Sequence, residues 1–178
     1  MITFTETGLR GAFVVEPERF DDERGFFARS FSDREFEAHG INPRLIECNI
    51  SYNRRRHTLR GMHYQAAPHA QAKLVRCTRG AVFDVIIDLR PASPTFRRWL
   101  GLELTAENPR QLYVPEGFAH GFQTLKDDTE IFYQMSARYE PSSGRGVRWD
   151  DPAFGIEWPE AVERIMAARD REYPDFNG

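Results

Sequence analysis

The chain has 178 residues, 24 of them basic and 27 acidic, for a net charge of −3. That length suits one domain with a full hydrophobic core, and the charge balance lacks the basic excess of a nucleic-acid-binding protein. No apolar run approaches membrane-spanning length, and the opening MITFTETGLR lacks the basic-then-apolar pattern of a secretory leader. Cys48 and Cys77 form neither a metal-binding spacing nor a disulfide framework, so a reducing cytoplasm is expected. The 14 Phe, 6 Tyr and 3 Trp fit either a β-rich domain or stacking on a flat ligand.

In chain order, Ile2 to Thr7 and Ala12 to Glu16 read as short strands, and Asp21 to Gly25 as a polar turn leading into a strand over Phe26 to Phe31. Ser32-Asp33-Arg34-Glu35 has the form of a capping box, and Gly40 supplies a stop, so a short peripheral helix is expected between them. From Arg44 onward strand follows strand: Leu45 to Ser51, Thr58 to Gln65, Lys73 to Thr78, Ala81 to Leu89, Trp99 to Thr105, Gln111 to Val114, Gly121 to Leu125 and Glu130 to Tyr139. The basic run Asn53 to His57 reads as a solvated loop. Many short strands without βαβ alternation indicate a sandwich or barrel, specifically a jelly roll. The expectation is one all-β domain over residues 1–178 with short peripheral helices. Glu160 to Arg171, with Val162, Ile165 and Met166 on one face, reads as a helical segment laid across the barrel.

Three stretches carry candidate chemistry. In Leu59-Arg60-Gly61-Met62-His63-Tyr64-Gln65, a histidine sits in a strand-like setting with Arg60 before it and Lys73 after it. A neutral imidazole beside fixed cations can take a proton from carbon next to a carbonyl if the cations hold the resulting negative charge. A core histidine flanked by surface cations is an equal reading of this stretch alone. Pro115-Glu116-Gly117-Phe118-Ala119-His120 matches the PxGxxH pattern of the second cupin motif, a tight turn that feeds a histidine onto a strand. Metal-binding cupins also offer an H-x-H pair, which this sequence lacks, so no metal is expected.

Together these stretches resemble the dTDP-4-dehydrorhamnose 3,5-epimerases, metal-free cupins. The resemblance runs from about Val15 to Asp170, through Asp22 to Phe27, Leu59 to Gln65, Ala72 to Arg76, Phe83 to Val85, Ser93 to Phe96, Val114 to Phe122 and Trp149 to Pro152. It implies a cupin jelly-roll barrel, a cytoplasmic homodimer without cofactor, and epimerisation of a nucleoside-diphosphate 4-keto-6-deoxyhexose. The leading substrate is dTDP-4-dehydro-6-deoxyglucose. It implies His63 as the base, Asp170 as the carboxylate orienting it, Tyr133 as the acid working from the opposite face, and Lys73 as the cation stabilising the enolate. Arg24, Arg60 and His120 fall on diphosphate or sugar contacts, Tyr139 on the base-stacking position, and Phe27, Arg29, Glu47, Asn49 and Arg169 on further substrate contacts. The region Arg24 to Phe31 is implied to reach the neighbouring subunit's site.

The departures concern the nucleotide. Arg29 stands where the family carries Glu, Glu47 where it carries Gln, Gly144 where it carries an acidic residue, and Arg169 where it carries Lys. These changes alter the donor and acceptor pattern offered to a base, so they mark either a different nucleotide or neutral drift. Competing readings are epimerisation at C3 alone, a CDP, GDP or UDP sugar as substrate, a metal-dependent cupin, and a binding protein without activity.

Overall fold

The structure is a computed structural model and describes residues 1–177; Gly178, the last residue of the expected domain, lies outside them. The strands are β1 (Ile2–Glu6), β2 (Phe13–Pro17), β3 (Arg19–Asp22), β4 (Gly25–Ala28), then after helix α1 (Asp33–Ala38) β5 (Glu47–Asn53), β6 (Leu59–Gln65) and β7 (Lys73–Arg79). They continue with β8 (Ala81–Asp88), β9 (Trp99–Thr105), β10 (Gln111–Val114), β11 (Phe118–Thr124), β12 (Thr129–Met135) and β13 (Gly144–Gly146), before helix α2 (Ala168–Arg171). One sheet has the order β1-β2-β10-β7-β12-β5, the other β13-β6-β11-β8-β9, and β3 and β4 pair only with each other. The fold is the all-β jelly roll expected, built as two facing sheets.

The core between the sheets follows from strand alternation. On β7, Val75 and Cys77 point inward, and they meet Val82 and Ile86 of β8, Phe118 and Phe122 of β11 and Ile131 of β12. Leu74, on the alternate face of β7, packs outward with Val15, Tyr113 and Phe36 of α1. A third cluster, Met62, Val85, Ile87, Ala119, Val147 and Phe154, lies on the β6–β8 side, and the cleft opens between the sheets at His63 and Lys73.

Three sequence expectations change. The capping box does not close: Ser32 is the N-cap but makes no side-chain bond, and Glu35 instead accepts from the Ile2 N–H at 2.9 Å, tying α1 to the edge strand. The helix expected over 160–171 is confined to Ala168–Arg171. Upstream of it the backbone bonds outward: Leu59 N–H donates to Ile165 C=O at 2.9 Å, and Ile165 N–H to His57 C=O at 3.1 Å. Those groups extend the β6 edge and are lost to an intrahelical ladder. The last long strand ends at Met135, which leaves Tyr139 in the following loop.

β6 and β11 approach unusually closely. A Cβ at Gly61, whose φ is +133°, would lie 2.6 Å from the Gly121 Cα, and one at Gly121 would lie 2.7 Å from the Arg60 C=O. The two glycines allow the strands that carry His63 and His120 to meet, with those histidines as register partners.

Candidate active site

β6 and β11 bring His63 and His120 from one sheet; β7, β12 and β5 bring Lys73, Tyr133 and Asn49 from the other. They line a two-lobed cleft. One lobe, about 520 Å³, has Arg60, His120, Asp170, Tyr52 and Ile50 in its walls; the other, about 450 Å³, has Asn49, Tyr64, Tyr139, Arg145 and Tyr173. His63, Lys73, Tyr133 and Arg169 line both and sit where the lobes join.

His63 Nε2 lies 2.7 Å from Asp170 Oδ1, and the other carboxylate oxygen accepts the Gly61 N–H at 3.1 Å. Asp170 is buried. Burial pushes its carboxyl up, but the bond and charge of His63, the Gly61 N–H and Arg169 together outweigh that and hold it below the ordinary value. An ionised Asp170 fixes the proton on Nε2 and leaves Nδ1 as the basic nitrogen. Among the described residues Nδ1 has no hydrogen-bond partner.

Lys73 reaches the His63 carbonyl at 3.4 Å. Burial lowers its amine to about 8, with the charge of Asp84 acting in the opposite direction. The Tyr133 phenol oxygen accepts a long bond from Asn49 Nδ2 at 3.5 Å, which leaves its O–H free to donate. Arg60 is braced by Asn53 Oδ1 at 2.8 Å, and Arg169 lies 3.6 Å from Asp170 and 3.4 Å from His63 Nε2. His120 is buried with its Nε2 2.9 Å from Asp84 Oδ1. Tyr139 stands exposed at the outer lobe, its N–H bonded to Glu47 Oε2 at 3.0 Å.

The structure thus gathers His63, Asp170, Lys73, Tyr133, Asn49, Arg60, His120, Tyr139 and Arg169 at one cleft, with Glu47 behind Tyr139. It does not bring Arg24, Phe27 or Arg29 there. They lie on or just after the exposed β3–β4 ribbon, where Arg24 pairs with Asp22 at 2.5 Å. Sequence reasoning missed Tyr64, Arg145, Tyr173 and Asp84. Asp84 left a signal, as a carboxylate inside the most apolar strand, and so did Tyr64, next to His63 in the same motif. Among the described residues no group of three His, Cys, Asp or Glu is placed to hold a metal ion.

A carboxylate-held imidazole, a free phenol on the facing sheet and a cation between them can move protons on and off carbon next to a carbonyl. On a jelly-roll frame, that set defines an isomerase of the cupin-like sugar-nucleotide epimerase class. The family model described as dTDP-4-dehydrorhamnose 3,5-epimerase matches residues 6–178, and the chain belongs to that family. The enzyme of that name from Sinorhizobium fredii is 45% identical over 173 residues, covering 97% of this chain and 89% of the relative. The Bacillus anthracis dTDP-4-dehydrorhamnose 3,5-epimerase, solved with TDP and PPi bound, superposes with a TM-score of 0.95 at 40% identity, covering 99% of this chain and 100% of that one. ChmJ, a 3'-monoepimerase from Streptomyces bikiniensis solved with dTDP-quinovose, gives 0.88 at 35% identity, covering 95% of this chain and 85% of that one.

Proposed function

We propose that this epimerase acts on dTDP-4-dehydro-6-deoxyglucose and inverts C3 and C5. The observation that carries the reading is the His63–Asp170 pair, joined through 2.7 Å, in one cleft with Tyr133 and Lys73. The C4 ketone acidifies the neighbouring C–H bonds. His63 Nδ1 takes the proton, the C–H electron pair moves into the enolate, and the oxyanion rests against Lys73. Tyr133 then delivers a proton to the carbon from the other side, the C–C double bond of the enolate collapses to the ketone, and solvent resets both residues. Arg60, Arg169 and His120 suit the diphosphate, and Tyr139 suits a base stacked at the mouth. The test is NMR of dTDP-4-dehydro-6-deoxyglucose with the enzyme in D₂O. Deuterium at C3 and C5 of inverted product is expected; no exchange at either carbon defeats the reading. The likeness to a 3'-monoepimerase supports a second reading, inversion at C3 alone, which the same spectrum separates.

The free cysteines Cys48 and Cys77 suit a reducing cytoplasm, and the working form we propose is a homodimer. Its support is an exposed aromatic ribbon and an open sheet edge: Phe27 is 70% exposed on β4, and Ile50 is 66% exposed on β5, the last strand of its sheet. An uncovered edge beside apolar side chains is a surface that a second copy can pair with. In that dimer Arg24, Phe27 and Arg29 serve the partner's cleft. No helix among the described residues is long and apolar enough to cross a membrane.

A further inference from the structure

Asp170 reaches His63 from a strap, residues 167–177, that belongs to neither sheet. Among its attachments beyond the His63 bond and the Gly61 N–H, four tie it to residues 146–154. The Phe176 N–H donates to Asp151 Oδ2 at 2.6 Å, and the Phe176 ring packs on Phe154 with centroids 5.1 Å apart. Asp175 pairs with Arg148 at 2.6 Å. Tyr173 lies over Gly146, where an added Cβ would stand 2.2 Å from its ring. Three of these anchors, Gly146, Arg148 and Asp151, lie in one segment, residues 144–151. The same segment is bonded to the strand carrying His63: Gly146 is the register partner of His63 itself, and Val147 and Met62 exchange both backbone bonds at 3.1 and 3.3 Å. One stretch of chain therefore holds both halves of the His63–Asp170 pair.

We propose that residues 144–151 clasp the strap and set the position of Asp170 against His63, with Phe176, Asp151 and Gly146 as positioning residues. The inference rests on the reading of His63 and Asp170 as the working pair. Among the described residues of the strap, Asp170 and Arg169 meet the His63 ring nitrogen, and Tyr173 packs edge-on against the His63 ring with centroids 6.3 Å apart. Asp151 is itself buried, with its other oxygen capping the Ala153 N–H at 2.8 Å, so it is a fixed anchor. A shift of the strap by a fraction of an ångström lengthens the 2.7 Å bond, while Arg60, His120 and Tyr139 lie outside the strap and only Arg169 of the proposed diphosphate contacts moves with it. The signature is a fall in kcat larger than any rise in KM.

The test uses the full chain with Phe176→Ala, which loosens the clasp, Gly146→Ala, which pushes the Tyr173 ring aside, Phe176→Leu as the conservative control, and each change combined with Asp170→Asn. Melting temperature selects variants that fold. Expected is a loss in kcat of about tenfold for either loosening variant, within the range for small misplacements of reacting groups. Substantial recovery is expected in Phe176→Leu, and a much smaller further loss when either change is added to Asp170→Asn, because the clasp acts mainly through that carboxylate. Losses that multiply in the double variants, a change confined to KM, or wild-type kcat in both loosening variants overturn the clasp. If Asp170→Asn alone exchanges and inverts at the wild-type rate, the reading of the pair fails, and the clasp with it. Should Phe176→Ala not fold, Gly146→Ala decides alone; if neither folds, the strap is a folding element and the proposal is wrong.

Discussion

His63 and Tyr133 belong to different sheets, on β6 and β12, and both line each lobe of the cleft. A sugar lying between the lobes meets an imidazole and a phenol carried by separate frames. Inversion requires that arrangement, because a proton removed from one side of a carbon must be replaced from the other.

The two roles are separable. Removing the base stops C–H cleavage, so His63→Ala is expected to abolish deuterium uptake at C3 and C5. In Tyr133→Phe the enolate still forms, and His63 can return a deuteron to the face it deprotonated. Exchange without inversion is expected there, with inverted product down by about 10²–10⁴-fold. NMR of substrate recovered from D₂O measures both. Exchange by His63→Ala near the wild-type rate, or normal inversion by Tyr133→Phe, would move the chemistry to other residues.

If Lys73 holds the enolate as proposed, it is expected to set an alkaline limit. Burial brings its amine from an ordinary 10.5 to about 8. As pH rises through about 8 the free enzyme loses the cation that holds the enolate, so kcat/KM falls. Stability moves the other way. A lysine whose folded value is depressed keeps its proton in the unfolded chain up to the higher value, so unfolding free energy rises with pH between the two. Activity lost above pH 8 while the chain resists urea no less well is the expected pairing. Lys73→Arg, whose guanidinium stays charged, should remove the limb whatever its residual rate. A wild-type profile flat to pH 10 would discount the cation.

Much of this was legible in the sequence because strands announce themselves by alternation and turn residues. The jelly roll was read from its strands, and His63, Lys73 and His120 stood out in short motifs, whereas Tyr133, one strand aromatic among several, took its role from the resemblance. Failures came where backbone partners are remote. Glu35 left its capping box for the Ile2 N–H, and residues before Ala168 gave up a helix to bond β6. Tyr173 and Arg145 carry no local pattern, since a strap and a three-residue strand bring them in. Asp170 was found by resemblance alone, because nothing near position 170 shows that its partner is 107 residues away.

Glu47 gives an account of one departure. Its carboxylate accepts the Tyr139 N–H at 3.0 Å, behind the exposed ring. A glutamine carbonyl can accept the same bond. Glu47→Gln is therefore expected to leave dTDP affinity within about twofold, whereas Glu47→Ala frees the Tyr139 loop and weakens binding severalfold, given about 1 kcal/mol for such a bond. Calorimetry with dTDP, UDP, CDP and GDP reads both. A switch of base preference in Glu47→Gln would show instead that this carboxylate reads the base.

The last prediction concerns the arm that the cleft of its own chain does not use. Among the described residues Arg24, on the turn between β3 and β4, has Asp22 as its one charged partner, and both side chains face solvent. If the arm completes the neighbour's cleft, Arg24→Ala should raise KM for the diphosphate substrate, as loss of a charge-assisted contact does. His63→Ala should abolish turnover in its own subunit. Mixing the two variants after reversible dissociation then gives a diagnostic result. In a mixed dimer, the subunit with His63 receives an intact arm, while the other cleft lacks both groups. Half of a randomly assorted equimolar population is mixed and each mixed dimer has one complete site, so about a quarter of the wild-type kcat/KM is expected above what the two parents contribute. Activity no greater than half the Arg24→Ala value would mean that the arm serves its own chain or no site. A monomeric mass in solution with full turnover would remove the dimer from the mechanism altogether.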